Sequence, residues 1–148
     1  MKSSSIIATL FATASLGAVL RNREGCGFDV VQFYASCVPH SLYCSYSFNV
    51  TSESITAPVE CSSFVQGPDY LPTIPLTGCS DPTVSYSFDV GEDAFTLAVT
   101  TASSKGQNLT GTHTITADEV VVDDNGSVRD QRYIGPQNFT ISAALVEI

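Results

Sequence analysis

The chain has 148 residues, 43% of them hydrophobic, with 6 basic against 15 acidic side chains and a net charge of -9. That length holds one domain with a core of ordinary size. So acidic a surface repels nucleic acid and anionic lipid, which excludes the polyanion-binding classes and leaves no expectation of a membrane or nucleic-acid partner. In chain order, Met1-Lys2 supplies a positive start, Ser5 to Ala12 a short apolar run, and small residues continue to Ala18. This is the anatomy of an export leader. Cleavage after Ala18 is expected, with Ala14 as the alternative because Ala12-Thr13-Ala14 also fits the small-residue rule. Residues 1–18 are therefore read as a signal peptide and 19–148 as one domain of 130 residues, net charge -10. The apolar run is too short to span a bilayer, and no later window reaches about 18 uninterrupted apolar residues. The mature chain is expected to be secreted, soluble and extracellular.

The rest of the chain reads as strands. Phe28 to Ala35 is apolar on both faces, as a central strand would be. Leu42, Cys44, Tyr46, Phe48 and Val50 then alternate with Tyr43, Ser45, Ser47 and Asn49. Forty residues on, Val84, Tyr86, Phe88 and Val90 alternate with Ser85, Ser87 and Asp89, so that SYSFNV is echoed by SYSFDV. Period two with one polar face marks a half-buried antiparallel strand. The flanks of the two copies do not match, so the echo reads as two strands with one duty and not as a duplicated domain. Between them, residues 52–82 carry Pro58, Pro68, Pro72, Pro75, Pro82, Gly67 and Gly78, and are expected to form a long irregular connection. Phe95, Leu97 and Val99 form another alternating run, as do Leu109, His113 and Ile115. Residues 119–122 and 127–134 flank Asp123-Asp124-Asn125-Gly126, a hairpin turn in which Asn-Gly accepts positive φ. Phe139, Ile141, Ala143 and Leu145 end the series. No window shows a helical period. The expected fold is all-β, a single antiparallel barrel or sandwich of about eight or more strands.

Five cysteines, Cys26, Cys37, Cys44, Cys61 and Cys79, read as disulfides in an exported chain, with one left over. A bridge between Cys61 and Cys79 would staple the long connection, closing a ring worth roughly 3 kcal/mol by the loop-entropy model. None of the spacings fits zinc, and no metal or cofactor is expected. Asn-x-Ser/Thr occurs at Asn49, Asn108, Asn125 and Asn138, which are candidates for glycosylation. Either as glycan carriers or as plain strand residues, Asn49 and Asn138 belong on the outer surface.

Catalytic sets are scarce. His40 and His113 are the two histidines, and a pair of histidines is the acid-base set of small ribonucleases. The plainer reading takes precedence: His40 shapes a turn and His113 is a half-buried strand residue. There is no Gly-x-Ser-x-Gly and no Gly-rich phosphate loop. The acid pairs Glu92-Asp93, Asp118-Glu119 and Asp123-Asp124 are neighbours that point apart, whereas glycoside hydrolysis needs two carboxylates facing across a cleft. Tyr34, Tyr43, Tyr70 and Tyr133 are the aromatics available for sugar stacking outside the core faces.

The order of these features resembles the fungal family of the Alternaria major allergen, small secreted β-barrel proteins. The resemblance is carried by Cys26 before the first strand, Phe28-Asp-Val-Val-Gln-Phe-Tyr34, Phe48-Asn-Val50, Glu60-Cys-Ser62, Gly78-Cys-Ser80 and Ser87-Phe-Asp89, and it covers residues 26–90. It implies a loop disulfide between Cys61 and Cys79. Cys37 and Cys44 are additional to the family pattern and spaced to clip the first hairpin, while the family's C-terminal disulfide has no counterpart here. Cys26 then remains, and the resemblance implies a homodimer joined through it. The family further implies a non-enzymatic effector, elicitor or allergen-like protein at the host-fungus interface, with a plant apoplastic defence protein or a small phenolic as partner. Two alternatives stand beside it: a structural or glycan-associated cell-wall protein, and a small secreted hydrolase or ribonuclease using His40 or His113.

Overall fold

A computed structural model of the protein describes residues 27–53, 55–67, 69–102, 107–124 and 126–147. Residues 1–18, read from the sequence as a leader, lie outside them, as do Cys26 and Asn125. Ten strands run through the described residues: β1 (Gly27–Cys37), β2 (Tyr43–Ser52), β3 (Ile55–Gln66), β4 (Ile74–Gly78), β5 (Val84–Val90), β6 (Ala94–Ala102), β7 (Gln107–Thr116), β8 (Val120–Asp124), β9 (Arg129–Tyr133) and β10 (Phe139–Glu147). Eight of them follow one antiparallel path, β3-β2-β1-β10-β7-β6-β5-β4, which curls into a nearly closed barrel. The β8–β9 hairpin hangs off this path, with Ser36 of β1 opposite Arg132 of β9.

β1 is central, as its composition requires, but not because both its faces are buried. Phe28, Val30, Phe33, Ala35 and Cys37 all point inward. A bulge between Val31 and Tyr34 inserts the extra residue that shifts the inward phase, with Gln32 at φ 57°. The Gln32 N–H is taken by Asn138 Oδ1 at 3.0 Å, and the Phe33 N–H by the Gln137 carbonyl at 2.9 Å. Below the bulge β1 pairs with β10; above it β9 takes over that side. Phe33 fills the resulting three-way junction, with Tyr133 edge-on at 4.9 Å and Phe139 at 5.7 Å.

The echoed strands β2 and β5 face one another across the barrel. Tyr46 packs on Phe88 at 4.9 Å and Phe48 meets Tyr86 edge-on at 5.1 Å, a crosswise exchange between the two copies of Ser-Tyr-Ser-Phe. All four rings are buried, and each such pair adds about 0.5–1.5 kcal/mol beyond the area it removes from water. Both phenols are spent internally. Tyr46 donates to the Pro72 carbonyl at 2.6 Å, and the Tyr86 hydroxyl is bonded to Ser63 Oγ. Burial pushes the Tyr46 phenol far above its ordinary range and raises that of Tyr86 against the opposing pull of Ser63.

Three sequence expectations are corrected. The segment 52–82 is not one irregular connection but contains β3 and β4. Pro58 is tolerated because β3 ends the path. Its missing N–H falls on the side where Glu60, two residues on, bonds Ser80 Oγ at 3.1 Å instead of β2. Leu42 is 57% exposed, because it lies in the turn before β2 and not on its inner face. Val90 ends β5 and is 39% exposed, not part of the buried face.

Candidate functional site

β3 and β4 are the two ends of the strand path, and no ladder joins them. What closes the barrel there is covalent. Cys61 on β3 is bonded to Cys79 just after β4, with Cα atoms 4.4 Å apart. The Ser80 N–H donates to the Glu60 carbonyl at 2.8 Å, and Ser80 Oγ accepts from the Glu60 N–H. A second disulfide, Cys37–Cys44, ties directly opposed residues of β1 and β2.

Beside the Cys61–Cys79 staple the seam opens into a cleft of about 430 Å³. One wall is apolar, from Ile55, Ala57, Pro58 and Val59 of β3; the other is polar, from Ser80, Asp81, Thr83 and Thr101. Asp81 Oδ1 accepts the Thr83 N–H at 2.9 Å and the Thr83 hydroxyl at 2.7 Å. These bonds hold its carboxyl below the ordinary carboxylate range, so Asp81 is a fixed anion, and both bonds fall on Oδ1 among the described residues. An apolar wall opposite an oriented carboxylate suits an amphiphilic group, such as a lysine or arginine stem or a hydroxylated ring.

The histidines do not meet. His40 occupies a type II turn, with Pro39 before it, its own φ at 60° and the Ser41 N–H bonded to the Val38 carbonyl at 3.2 Å. Ser41 Oγ accepts the Tyr43 N–H at 3.2 Å. His40, Ser41, Asp69 and Asp130 do line a second cleft of about 230 Å³, a grouping invisible in the sequence because residue 130 is far from 40. Ser41 is engaged with the backbone there and has no bond to His40. His113 is stacked on Phe139 at 4.0 Å, and burial lowers its pKa against the opposing pull of Glu119. The acid pair Asp123-Asp124 serves the β8–β9 hairpin, Asp123 holding Arg132 at 2.6 Å and Asp124 holding Arg129 at 3.3 Å. Glu119 accepts the Thr116 N–H at 3.1 Å and Asp118 is bonded to the Thr116 hydroxyl, so this pair caps the 3-10 turn at 117–119.

No protein-family model matches the sequence. No curated protein matches it either. The structure, however, superposes on the crystal structure of the Alternaria alternata major allergen Alt a 1 with a TM-score of 0.53 and 18% identity, covering 82% of this chain and 95% of that one. A second crystal structure of Alt a 1 gives the same TM-score at 16% identity, over 83% of this chain and 91% of that one. The chain has the Alt a 1 barrel fold. At this identity the likeness establishes architecture. The seam cleft and its lining are features of the present chain within that architecture.

The remaining candidates are spread over the surface. Asn49 on β2 donates to Gln32 Oε1 at 3.3 Å, Asn138 sits at the β1 bulge, and Asn108 lies on β7 opposite Val146. Tyr133 is pinned by a 2.6 Å bond to the Pro136 carbonyl, and its pKa is pushed up to about 12, chiefly by burial. Tyr34, Tyr43 and Tyr70 are exposed, and Phe64, absent from the sequence-based set, is the partner on which Tyr43 stacks. Its own alternation with Cys61, Ser63 and Val65 would have revealed it, had residues 55–66 been read as a strand.

Proposed function

We propose that the chain is an exported, non-enzymatic binding protein, effector- or allergen-like, that works at the contact between a fungus and its host. The observation that carries this reading is the seam. The gap between β3 and β4, the two ends of the strand path, is held by a disulfide and lined by an apolar wall facing an oriented carboxylate. Stapled openings on a rigid β scaffold are where binding function concentrates. The barrel fold shared with Alt a 1 supports the allergen-like part, and the two disulfides together with the leader-like residues 1–18 support export. The partner is a plant apoplastic protein presenting a basic side chain to Asp81, with a small phenolic as the alternative occupant of the cleft. Cys26, unpaired by either disulfide, joins two copies into a homodimer.

The test immobilises residues 19–148 in oxidised form and passes plant apoplastic fluid over them, beside Asp81→Lys and Ala57→Arg variants. A host protein retained by the native chain and lost with both variants is the expected result. Retention indifferent to both substitutions, or none at all, overturns the reading. Non-reducing electrophoresis of the native chain and a Cys26→Ser variant reads the dimer separately.

A further inference from the structure

The outward face of β1, β2 and β3 has a composition the barrel itself does not require. Register places Ser36, Ser45 and Phe64 side by side in one row, and Tyr34, Ser47 and Ser62 in the next. Tyr43 stands two residues before Ser45 along β2 on the same outward side and reaches across to Phe64, their rings stacked at 5.0 Å with 9° between planes. The result is a floor of four serines with one aromatic side chain on β1 and a stacked pair on β2 and β3. Tyr34 on β1 and Phe64 on β3 stand two strands apart, roughly 10 Å from the sheet spacing.

All three rings are in water, Tyr34 at 51%, Tyr43 at 43% and Phe64 at 62% exposure. The core on these same strands is already supplied by Phe33, Tyr46 and Phe48 from the inward side. Cross-strand stacking accounts for Tyr43 with Phe64, but not for Tyr34 or for the serine floor. β3 is moreover an end strand, where exposed positions are normally guarded by charge. Here a molecule of net charge -9 keeps charge off the floor altogether. The nearest cation in register, Arg132 beside Ser36, is neutralised by Asp123, and Glu60 lies one row below Ser62, opposite Asn49.

We propose that this face binds a neutral polysaccharide, a chain of uncharged pyranose rings laid along the serine floor between Tyr34 and the Tyr43–Phe64 pair. The C–H faces of such rings pack on aromatic faces. Serine hydroxyls both donate and accept, so they match sugar hydroxyls in either sense. The uncharged floor offers nothing to a charged polymer, and the acidic molecule around it repels anionic ones. A protein partner fits less well. A stable protein interface buries about 1,200–2,000 Å² around an apolar core, and three separated rings on a hydroxyl floor supply no such core. This site is separate from the seam cleft, since none of its residues lines that cleft.

The test uses residues 19–148 in oxidised form, in the native sequence and in an Asn49→Gln background. Asn49 follows Ser47 on the same face, so that background removes any glycan the chain itself places there. Probes are insoluble chitin, β-1,3-glucan and cellulose, with polygalacturonate as the anionic control. Retention on at least one neutral polymer is expected, unchanged by added salt, and weakened about tenfold by Tyr34→Ala or Phe64→Ala, the loss of one aromatic contact. Both side chains face water, so the melting temperature of the variants checks that the barrel persists. Asp81→Lys leaves retention unchanged, which separates this proposal from the seam reading. The proposal is overturned by no retention on any neutral polymer, by retention indifferent to both aromatic substitutions, or by retention on polygalacturonate alone. Binding that emerges only in the Asn49→Gln background assigns the face to the chain's own glycan and also overturns it. So does loss of a retained host protein, and not of polysaccharide, on Phe64→Ala.

Discussion

The two histidines show how one residue type is put to two structural uses. His40 holds φ at 60° in a turn where glycine pays no steric cost. His40→Gly is therefore expected to leave the melting temperature unchanged or raised, and His40→Ile to lower stability by about 1–2 kcal/mol, read from urea unfolding. His113 lies against Phe139, and its proton is disfavoured in the folded chain relative to the ordinary value of 6.5. The unfolded chain thus binds more protons just below pH 6.5, and stability must fall as pH drops through that value. Above it the contribution is fully present. A melting-temperature series from pH 7.5 to 5 should show this slope in the native chain and a flatter one in His113→Phe, which keeps the stack and removes the titration. Equal slopes would place the acid sensitivity elsewhere. Tyr46 is the third case. Its hydroxyl satisfies the Pro72 carbonyl, so Tyr46→Phe costs about 1–3 kcal/mol by leaving a half-buried acceptor unpaired.

At the scale of elements, alternation made most strands legible, because a sheet with one wet face writes its register into the sequence. The echoed strands β2 and β5 were readable as equivalents, yet their crosswise ring contacts depend on barrel closure, which no local pattern encodes. β3 was hidden by Pro58, whose cost vanishes only at the end of the strand path. The β1 bulge was hidden by apolar Val31, which made a shift of phase look like a second buried face. The cleft that gathers His40, Asp69 and Asp130 was beyond reach for the same reason as the barrel closure: its members are distant in sequence. β10 is another element whose role comes from context. It pairs β1 through Ser142 and β7 from Ala143 onward, and Gly111 of β7 stands at that changeover. A Cβ there would lie 2.5 Å from the Ser142 carbonyl oxygen and 2.7 Å from Ile141 Cγ2. Gly111→Ala is expected to cost about 1–3 kcal/mol in urea unfolding, since backbone must move to admit it. Gly78→Ala, with nothing within 4 Å, should be near neutral.

At the scale of the molecule, the two disulfides have different jobs. Cys37–Cys44 joins residues that already face each other in a hairpin and closes a separation of 7 residues. Cys61–Cys79 closes 18 residues and also joins the two ends of the strand path, where hydrogen bonds from Ser80 and Ser63 are the other ties among the described residues. The loop-entropy model separates them by only about 0.8 kcal/mol, so melting temperatures alone would not reveal the difference. Local opening would. With Cys37 and Cys44 both changed to serine, the β1–β2 ladder and the junction around Phe33 still hold, and amide exchange should rise only near the turn at 38–42. With Cys61 and Cys79 both changed, nothing covalent opposes separation of β3 from β4. Exchange should then rise along β3, β4 and the 67–73 connection while β6 and β7 stay protected. The freed edge of β3, with Phe64 exposed, should also make that variant the more prone to self-association. Equal and local exchange in the two variants would mean that the Tyr86–Ser63 and Ser80–Glu60 bonds close the barrel unaided. In that case the cleft beside Cys61 would keep its shape under reducing conditions, and binding there would not depend on the oxidised state.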